Sequence, residues 1–172
     1  MTEEPFDPRL LISSADEVAL HRGRFTHLVS IANPGKSHPR PAWFQGPHLQ
    51  LWFGDVTSEA DAMAWHTRAP AAEDVRSGLE FFRAAMSSTG SRVLVHCNHG
   101  ASRSPALAYV FVADLLGAGR EEEVLAQILK IRPNAVPNRL VAQLGDDLLG
   151  RQGALLRPLV ELYRLLDKEL YG

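Results

Sequence analysis

The chain has 172 residues, of which 45% are hydrophobic and 22% are charged, and its formal net charge is −2. This balance is ordinary for a globular domain, and it excludes a general attraction to nucleic acid or to an anionic membrane surface. We therefore expect one domain over residues 1–172, with partners that are recognised locally.

The single cysteine, Cys97, excludes an intramolecular disulfide. A reducing, cytoplasmic location is therefore expected. Residues 1–5 are acidic and lack the apolar core of a secretory signal, and no apolar run approaches the length of a membrane span. The sequence thus predicts a soluble protein with no membrane partner, and it leaves the oligomeric state open.

Strand and helix patterns alternate along the first part of the chain, and helix patterns follow. The predicted strands cover residues 10–12, 26–32, 49–53 and 92–95. A proline-rich loop between the second and third strands is a candidate wall of a pocket. The predicted helices cover residues 14–21, where Ser14 and Glu17 have capping-box spacing, then 70–88, 104–116, 121–131 and 138–149.

The last segment, 151–171, carries one leucine in nearly every helical turn. Such a stripe either packs on the domain or binds a partner helix, and packing on the domain is the favoured interpretation. The stripe consists of Leu155, Leu159, Leu162, Leu166 and Leu170. Together these elements predict a single small α/β domain with a central, mostly parallel sheet flanked by helices and with an added C-terminal helix.

The most informative feature is the loop between the strand at 92–95 and the helix that begins near Ser104. Five residues separate Cys97 from Arg103. A loop this short turns backbone N–H groups inward, where they can surround an anion at the positive end of the helix. The planar Arg103 guanidinium can hold two phosphate oxygens, and the same positive surroundings favour the reactive thiolate of Cys97. Gly100 suits the tight turn.

The run His96-Cys97, two residues, Gly100, one residue, Ser102-Arg103-Ser104 resembles the phosphate-binding loop of the cysteine-dependent protein tyrosine and dual-specificity phosphatases. This resemblance spans about residues 9–149. It implies a phosphatase-like fold, a Cys97 nucleophile, phosphate binding by Arg103, and a Ser104 hydroxyl that assists the leaving thiolate. It also implies supporting roles for His96 and for Asn138, and phosphate contacts from the loop residues Asn98, His99, Gly100, Ala101 and Ser102.

The resemblance also implies an aspartate that protonates the leaving oxygen. Asp55 follows the predicted strand at 49–53 and is our candidate, with Asp61 as the alternative. A helix-capping role is the structural interpretation for Asp55, and a position at the start of a helix is the structural interpretation for both Asn138 and Ser104. A buried structural role is the alternative for His96 and Cys97.

The sequence therefore predicts a phosphoric monoester hydrolase that forms a phosphocysteine, most consistent with a protein tyrosine or dual-specificity phosphatase. The expected partner is a phosphorylated protein or a small phosphate monoester. No cofactor or metal is expected, because the other histidines do not form a ligand set. The alternatives are a phosphatase of a small metabolite or nucleotide, an inactive phosphate-binding adaptor, and a different thiol enzyme such as a sulfurtransferase.

Overall fold

Four strands form one parallel sheet in the computed structural model, which describes residues 9–171. The acidic segment 1–5 lies outside the described residues. The strands are β1 (Leu10–Ser14), β2 (His27–Ala32), β3 (His48–Trp52) and β4 (Val93–Cys97). Their order in the sheet is β1-β4-β2-β3, and all three pairings are parallel. The prediction of a mostly parallel sheet is confirmed.

Strand β4 lies inside the sheet and brings Cys97 to its carboxyl edge. All five residues of β4 are buried, as expected for a strand that is covered on both faces. Ser14 of β1 pairs with Cys97, and Ser30 of β2 pairs with His96. The loops that follow β1, β2 and β4 therefore leave the sheet at the same edge, beside Cys97.

The two faces of the sheet follow the alternation of the strand residues. One face contributes to the main core, together with Cys97, through Leu10, Ile12, Val29, Ile31, Leu51, Val93 and Val95. The opposite face forms a smaller cluster through Leu11, Leu28 and Leu94, which pack with Val18, Phe25, Trp43 and Phe44. Phe44 is thus a core residue, and Trp43 is partly buried against it.

The described α-helices are α1 (Glu59–Ala64), α2 (Ala72–Met86), α3 (Arg103–Leu116), α4 (Glu121–Ile131), α5 (Arg139–Leu149) and α6 (Leu156–Tyr171). Helix α2 packs against β3, and α3 packs against β1 and β4, so these two helices cover the first of the two faces. The first eleven residues of α3 are buried, because the helix packs against β1 and β4 on one side and against α2, α4 and α5 on others. The second face is covered by the chain between β1 and β3 instead of by an α-helix.

The predicted helix at 14–21 is a single 3₁₀ turn, Val18–His21. Ser14 pairs in the sheet and is therefore extended, so a helix cannot begin there. Half of the predicted capping box remains, since the Ser14 N–H donates to Glu17 Oε2 over 2.9 Å. This hydrogen bond is the largest of the interactions that lower the pKa of Glu17.

Helix α6 packs on the domain, as predicted for its leucine stripe. Leu155, at the start of this segment, and Leu159 are fully buried, and the Tyr109 hydroxyl donates to the Leu155 carbonyl over 3.0 Å. The Tyr163 hydroxyl donates to the Pro137 carbonyl. The side chain of Leu170 lies outside the described part. None of the helices between residues 9 and 171 has both the length and the apolar character that a bilayer crossing requires.

Candidate active site

The loop between Cys97 and Arg103 is held from outside by its carbonyl groups. Four of its carbonyl oxygens accept hydrogen bonds from other segments: Asn98 from the Ala15 N–H (3.2 Å), His99 from Arg132 Nη2 (3.2 Å), Ala101 from the Val136 N–H (2.7 Å) and Ser102 from the Asn138 N–H (3.1 Å). Because these oxygens bond outward, the peptide groups of the loop have a defined orientation.

The N–H groups of the same loop remain available. Within residues 9–171, no hydrogen bond to another protein group uses the N–H of residues 99–103. The first N–H groups of α3 lie at the end of this run, where the helix dipole is positive. Outward carbonyls and available N–H groups make the loop a cradle for an anion.

Gly100 makes this loop conformation possible. Its φ of +67° lies in the left-handed region, which residues with a Cβ adopt at a cost. A Cβ at this position would also lie 2.6 Å from the carbonyl carbon and oxygen of Ser13. Because that neighbour is backbone at the end of β1, it cannot move aside as a side chain can. The loop therefore requires glycine here for two independent reasons.

Cys97 and Ser104 meet beneath the cradle. The Cys97 side chain is buried with 3% exposure, and the Ser104 hydroxyl donates to Cys97 Sγ over 3.3 Å. A hydroxyl that donates to sulfur stabilises the charged thiolate more than the neutral thiol. The pair thus suits a sulfur that must act both as nucleophile and as leaving group.

The Arg103 guanidinium is buried and only partly paired. Its Nη1 donates to Asn33 Oδ1 over 2.7 Å and to the Phe53 carbonyl over 2.9 Å. Its Nε is buried and has no hydrogen-bond partner within residues 9–171. A buried charged donor without a partner is costly. An oxyanion bound in the cradle is a group that could satisfy it.

Asp55 lies at the mouth of the same site. Its Oδ1 accepts from the Ser102 hydroxyl over 2.7 Å and from Asn138 Nδ2 over 2.9 Å, while no described hydrogen bond uses Oδ2. Asp55 and Arg103 both line a cleft of about 390 Å³, whose other lining residues are Asn33, Gly54, Val56, Trp65, Thr67, Asn98 and His99. The cleft thus places the Asp55 carboxylate beside the cradle for an anion.

Asp61, the alternative candidate, does not line this cleft. It lies in the first turn of α1, where its N–H donates to the N-cap hydroxyl of Ser58 over 3.0 Å. The Thr57 hydroxyl donates to its Oδ2 over 3.3 Å. These are the contacts of a residue in the first turn of a helix. The geometry therefore favours Asp55 over Asp61 as the candidate proton donor.

Asn138 contacts helix α5, the loop after Cys97 and the segment that carries Asp55. Its Oδ1 accepts from the Val141 N–H over 3.1 Å and caps α5, while its backbone N–H supports the loop at Ser102. Its Nδ2 donates to Asp55 and, over 3.1 Å, to the Val56 carbonyl. Asn138 therefore links the loop between Cys97 and Arg103 to the segment that carries Asp55.

His96 belongs to a polar row on the face of the sheet opposite the helices. Its Nε2 lies 2.6 Å from the Ser30 hydroxyl, which in turn lies 2.8 Å from His48 Nε2. The His38 ring packs edge-on at 4.9 Å from the His96 ring, and His38 Nε2 lies 2.8 Å from Asn98 Oδ1. Burial, followed by the nearby charge of His38, lowers the pKa of His96 from 6.5 to about 4.

This shift predicts a pH dependence of stability. The folded-state pKa lies below the unfolded one, so the contribution of neutral His96 is complete above pH 6.5 and is lost as the pH falls towards 4. The full difference corresponds to about 3 kcal/mol in the free energy of unfolding. Urea unfolding at a series of pH values measures it. Glutamine does not titrate, so His96→Gln should flatten the dependence of the free energy of unfolding on pH. An unchanged dependence in this variant would assign the pH effect to other groups.

A larger cavity of about 570 Å³ lies elsewhere, between the start of α4 and the start of α6. None of the predicted site residues lines it. Its charged side chains pair with one another, as Arg151 does with Glu121 at 3.3 Å and Arg120 with Glu123 at 2.5 Å. The cleft at Asp55 and Arg103 is therefore the candidate active site.

The structure brings together Cys97, Arg103, Ser104, Asp55 and Asn138, with His96 directly behind the loop. Three side-chain contacts were not predicted from the sequence: that of Ser102 with Asp55, that of Asn33 with Arg103 and that of His38 with Asn98. The proline-rich loop was predicted to form a pocket wall, but its prolines do not line the cleft. No group of three or more potential metal ligands occurs between residues 9 and 171.

No protein-family model matches the sequence, and no curated protein matches it. Solved structures do resemble the fold. Human DUSP28 has a TM-score of 0.63 at 20% identity, covering 86% of this chain and 96% of that chain. The human tyrosine phosphatase-like serine/threonine/tyrosine-interacting protein has a TM-score of 0.66 at 19% identity, covering 85% and 94%. DUSP15 has a TM-score of 0.64 at 23% identity, covering 92% and 94%. The chain has the dual-specificity phosphatase fold, which confirms the predicted architecture.

Proposed function

We propose that this protein hydrolyses phosphate monoesters through a phosphocysteine intermediate. One observation carries the proposal: the loop that starts at Cys97 has available N–H groups at residues 99–103 and ends at Arg103, whose Nε is unpartnered and whose side chain lines a cleft together with Asp55. Phosphoryl transfer needs this combination of nucleophile, oxyanion donors and proton donor.

In the first step the Cys97 thiolate attacks phosphorus. A sulfur–phosphorus bond forms while the bond from phosphorus to the ester oxygen breaks, and Asp55 transfers a proton to the departing oxygen. Arg103 and the loop N–H groups hold the remaining phosphate oxygens. The products of this step are a free alcohol or phenol and a phosphocysteine.

In the second step Asp55, now ionised, takes a proton from water as the water oxygen attacks phosphorus. The sulfur–phosphorus bond breaks, and Cys97 leaves as a thiolate that the Ser104 hydroxyl stabilises at 3.3 Å. Inorganic phosphate is released. We assign Asn138 and Ser102 to positioning Asp55, and His96 to supporting the strand end behind Cys97.

A protein tyrosine or dual-specificity phosphatase is the proposed class, and the single cysteine supports a reducing, cytoplasmic location. The residues that line the cleft help to distinguish this class from a nucleotide phosphatase and from an inactive adaptor. Between residues 9 and 171, Arg103 is the only arginine or lysine that lines the cleft. One such side chain is a poor match for nucleoside polyphosphates or nucleic acid, which carry several negative charges. An inactive adaptor would need neither Cys97 nor Asp55, whereas both side chains are present at the cradle.

Turnover of an aryl phosphate tests the proposal. We expect the purified protein to hydrolyse it in excess chelator, and we expect vanadate to inhibit competitively because it binds the same cradle. Acid quenching during turnover, followed by mass spectrometry, should find one phosphoryl group on the peptide that contains Cys97. Binding of phosphate without hydrolysis would establish the adaptor instead, and phosphoryl transfer to another residue would refute the mechanism.

A further inference from the structure

Trp65 is an exposed aromatic side chain that none of the proposed catalytic steps uses. It lines the same cleft as Asp55 and Arg103, yet 76% of its surface is exposed. Tryptophan is usually much more buried than this, and a large exposed apolar group beside a binding cleft is typical of a surface that contacts a ligand.

The position of Trp65 is set by the way helix α1 ends. The Thr67 N–H donates to the Ala62 carbonyl over 2.9 Å, and the His66 N–H donates to the Met63 carbonyl over 3.3 Å. These two bonds form a Schellman motif, in which His66 takes the left-handed conformation with φ of +49° that glycine usually supplies. The turn fixes the backbone of Trp65, which is the C-cap residue directly after the helix.

The same turn packs on the residue before Asp55. The Gly54 N–H donates to the Arg68 carbonyl over 2.7 Å, and a Cβ on Gly54 would lie 2.5 Å from the Thr67 side chain. A small buried apolar cluster joins the start, the middle and the end of this segment: Val56, Ala62 and Ala69. Residues 54–69 are therefore one packed unit that carries both Asp55 and Trp65.

We propose that Trp65 stacks on the organic group of the substrate and selects aryl over alkyl phosphate monoesters. This inference rests on the proposed function: Asp55 must reach the ester oxygen, so the group attached to that oxygen lies beside the segment that also presents Trp65. Among the described residues that line the cleft, Arg103 is the only arginine or lysine, and in the proposed mechanism it binds the phosphate. This lining offers no further arginine or lysine to a charged leaving group, whereas an uncharged ring gains contact with the indole.

The test compares Trp65→Ala and Trp65→Phe with a matched control. Met63 lies on α1, two residues before Trp65, and is 78% exposed, but it does not line the cleft. The measured quantity is the ratio of kcat/KM for phenyl phosphate to kcat/KM for a small alkyl phosphate. We expect Trp65→Ala to lower this ratio about tenfold, which corresponds to about 1.4 kcal/mol of lost stacking, and Trp65→Phe to retain most of it. Met63→Ala should leave the ratio unchanged.

An unchanged ratio in Trp65→Ala would overturn the inference, because a purely structural role lowers both rates together. Free phosphotyrosine and a phosphotyrosine peptide form two further arms. An equal loss of kcat/KM for both substrates in Trp65→Ala supports stacking on the ring. A loss confined to the peptide would overturn the inference in favour of a contact with peptide residues.

Equilibrium binding separates this inference from the proposed function. Phenylphosphonate and methylphosphonate are not hydrolysed, and calorimetry gives their relative affinities for the wild type and for Trp65→Ala. We expect the preference for phenylphosphonate to fall about tenfold in the variant. If the wild type hydrolyses no monoester, the proposed function fails, and the binding ratio alone then decides the role of Trp65.

Discussion

Cys97→Ser should reduce turnover of an aryl phosphate by about 10⁴-fold or more. A serine hydroxyl does not ionise under the conditions in which the thiolate forms, and it is a much weaker nucleophile towards phosphorus. The size of the side chain barely changes, so the cradle of N–H groups and Arg103 remains. Steady-state rates together with the binding of vanadate measure the two properties separately.

The expected pattern is therefore a variant that binds but does not turn over. The midpoint of thermal unfolding should stay close to that of the wild type, since Cys97 contributes little volume that serine lacks. Arg103→Ala provides the contrast, because it should lose oxyanion binding as well as rate. Turnover by Cys97→Ser at the wild-type rate would show that sulfur is not the nucleophile.

Asp55→Asn should lower kcat/KM, which reports the step in which the ester oxygen leaves, by about a hundredfold for an ester with a poor leaving group. Asparagine cannot transfer a proton to the departing oxygen, although it keeps an acceptor for the hydrogen bonds from Ser102 and Asn138. An activated aryl ester needs little protonation and should lose less. The measurement uses a series of aryl phosphates with leaving groups of increasing pKa. The slope of the logarithm of kcat/KM against leaving-group pKa should be steeper for Asp55→Asn than for the wild type.

Asp61→Asn is the matched control, because Asp61 lies on the same segment but outside the residues that line the cleft. We expect the variant to retain the wild-type dependence on the leaving group. If Asp61→Asn instead steepens the dependence and Asp55→Asn does not, the proton donor is Asp61 and the assignment made from the cleft is wrong.

The phosphate loop could be predicted from the sequence because its parts are close along the chain. A buried strand, five loop residues and the start of a helix are enough to orient Cys97, Arg103 and Ser104, and the structure places them accordingly. Asp55 was predicted from its position after a strand, and the parallel sheet brings that strand end to the same edge.

The partners of these residues depend on the order of the strands, which no local pattern encodes. Asn33 contacts Arg103, 70 positions later in the chain, only because β2 lies next to β4. Trp65 could not be predicted for a different reason. The turn that presents it has histidine at the left-handed position, so the glycine that usually marks a helix end is missing from the sequence.

The hydrogen bond from Tyr163 to the Pro137 carbonyl has a consequence for synthesis on the ribosome. Pro137 directly precedes Asn138, which links Asp55 to the phosphate loop. Domains generally fold as units, and the core around Cys97 includes Leu155 and Leu159. The support behind Asn138 forms only after residue 163 has left the exit tunnel. During translation, the core around Cys97 and the Asp55 arrangement are therefore expected to be completed together, once residues 155–163 have emerged.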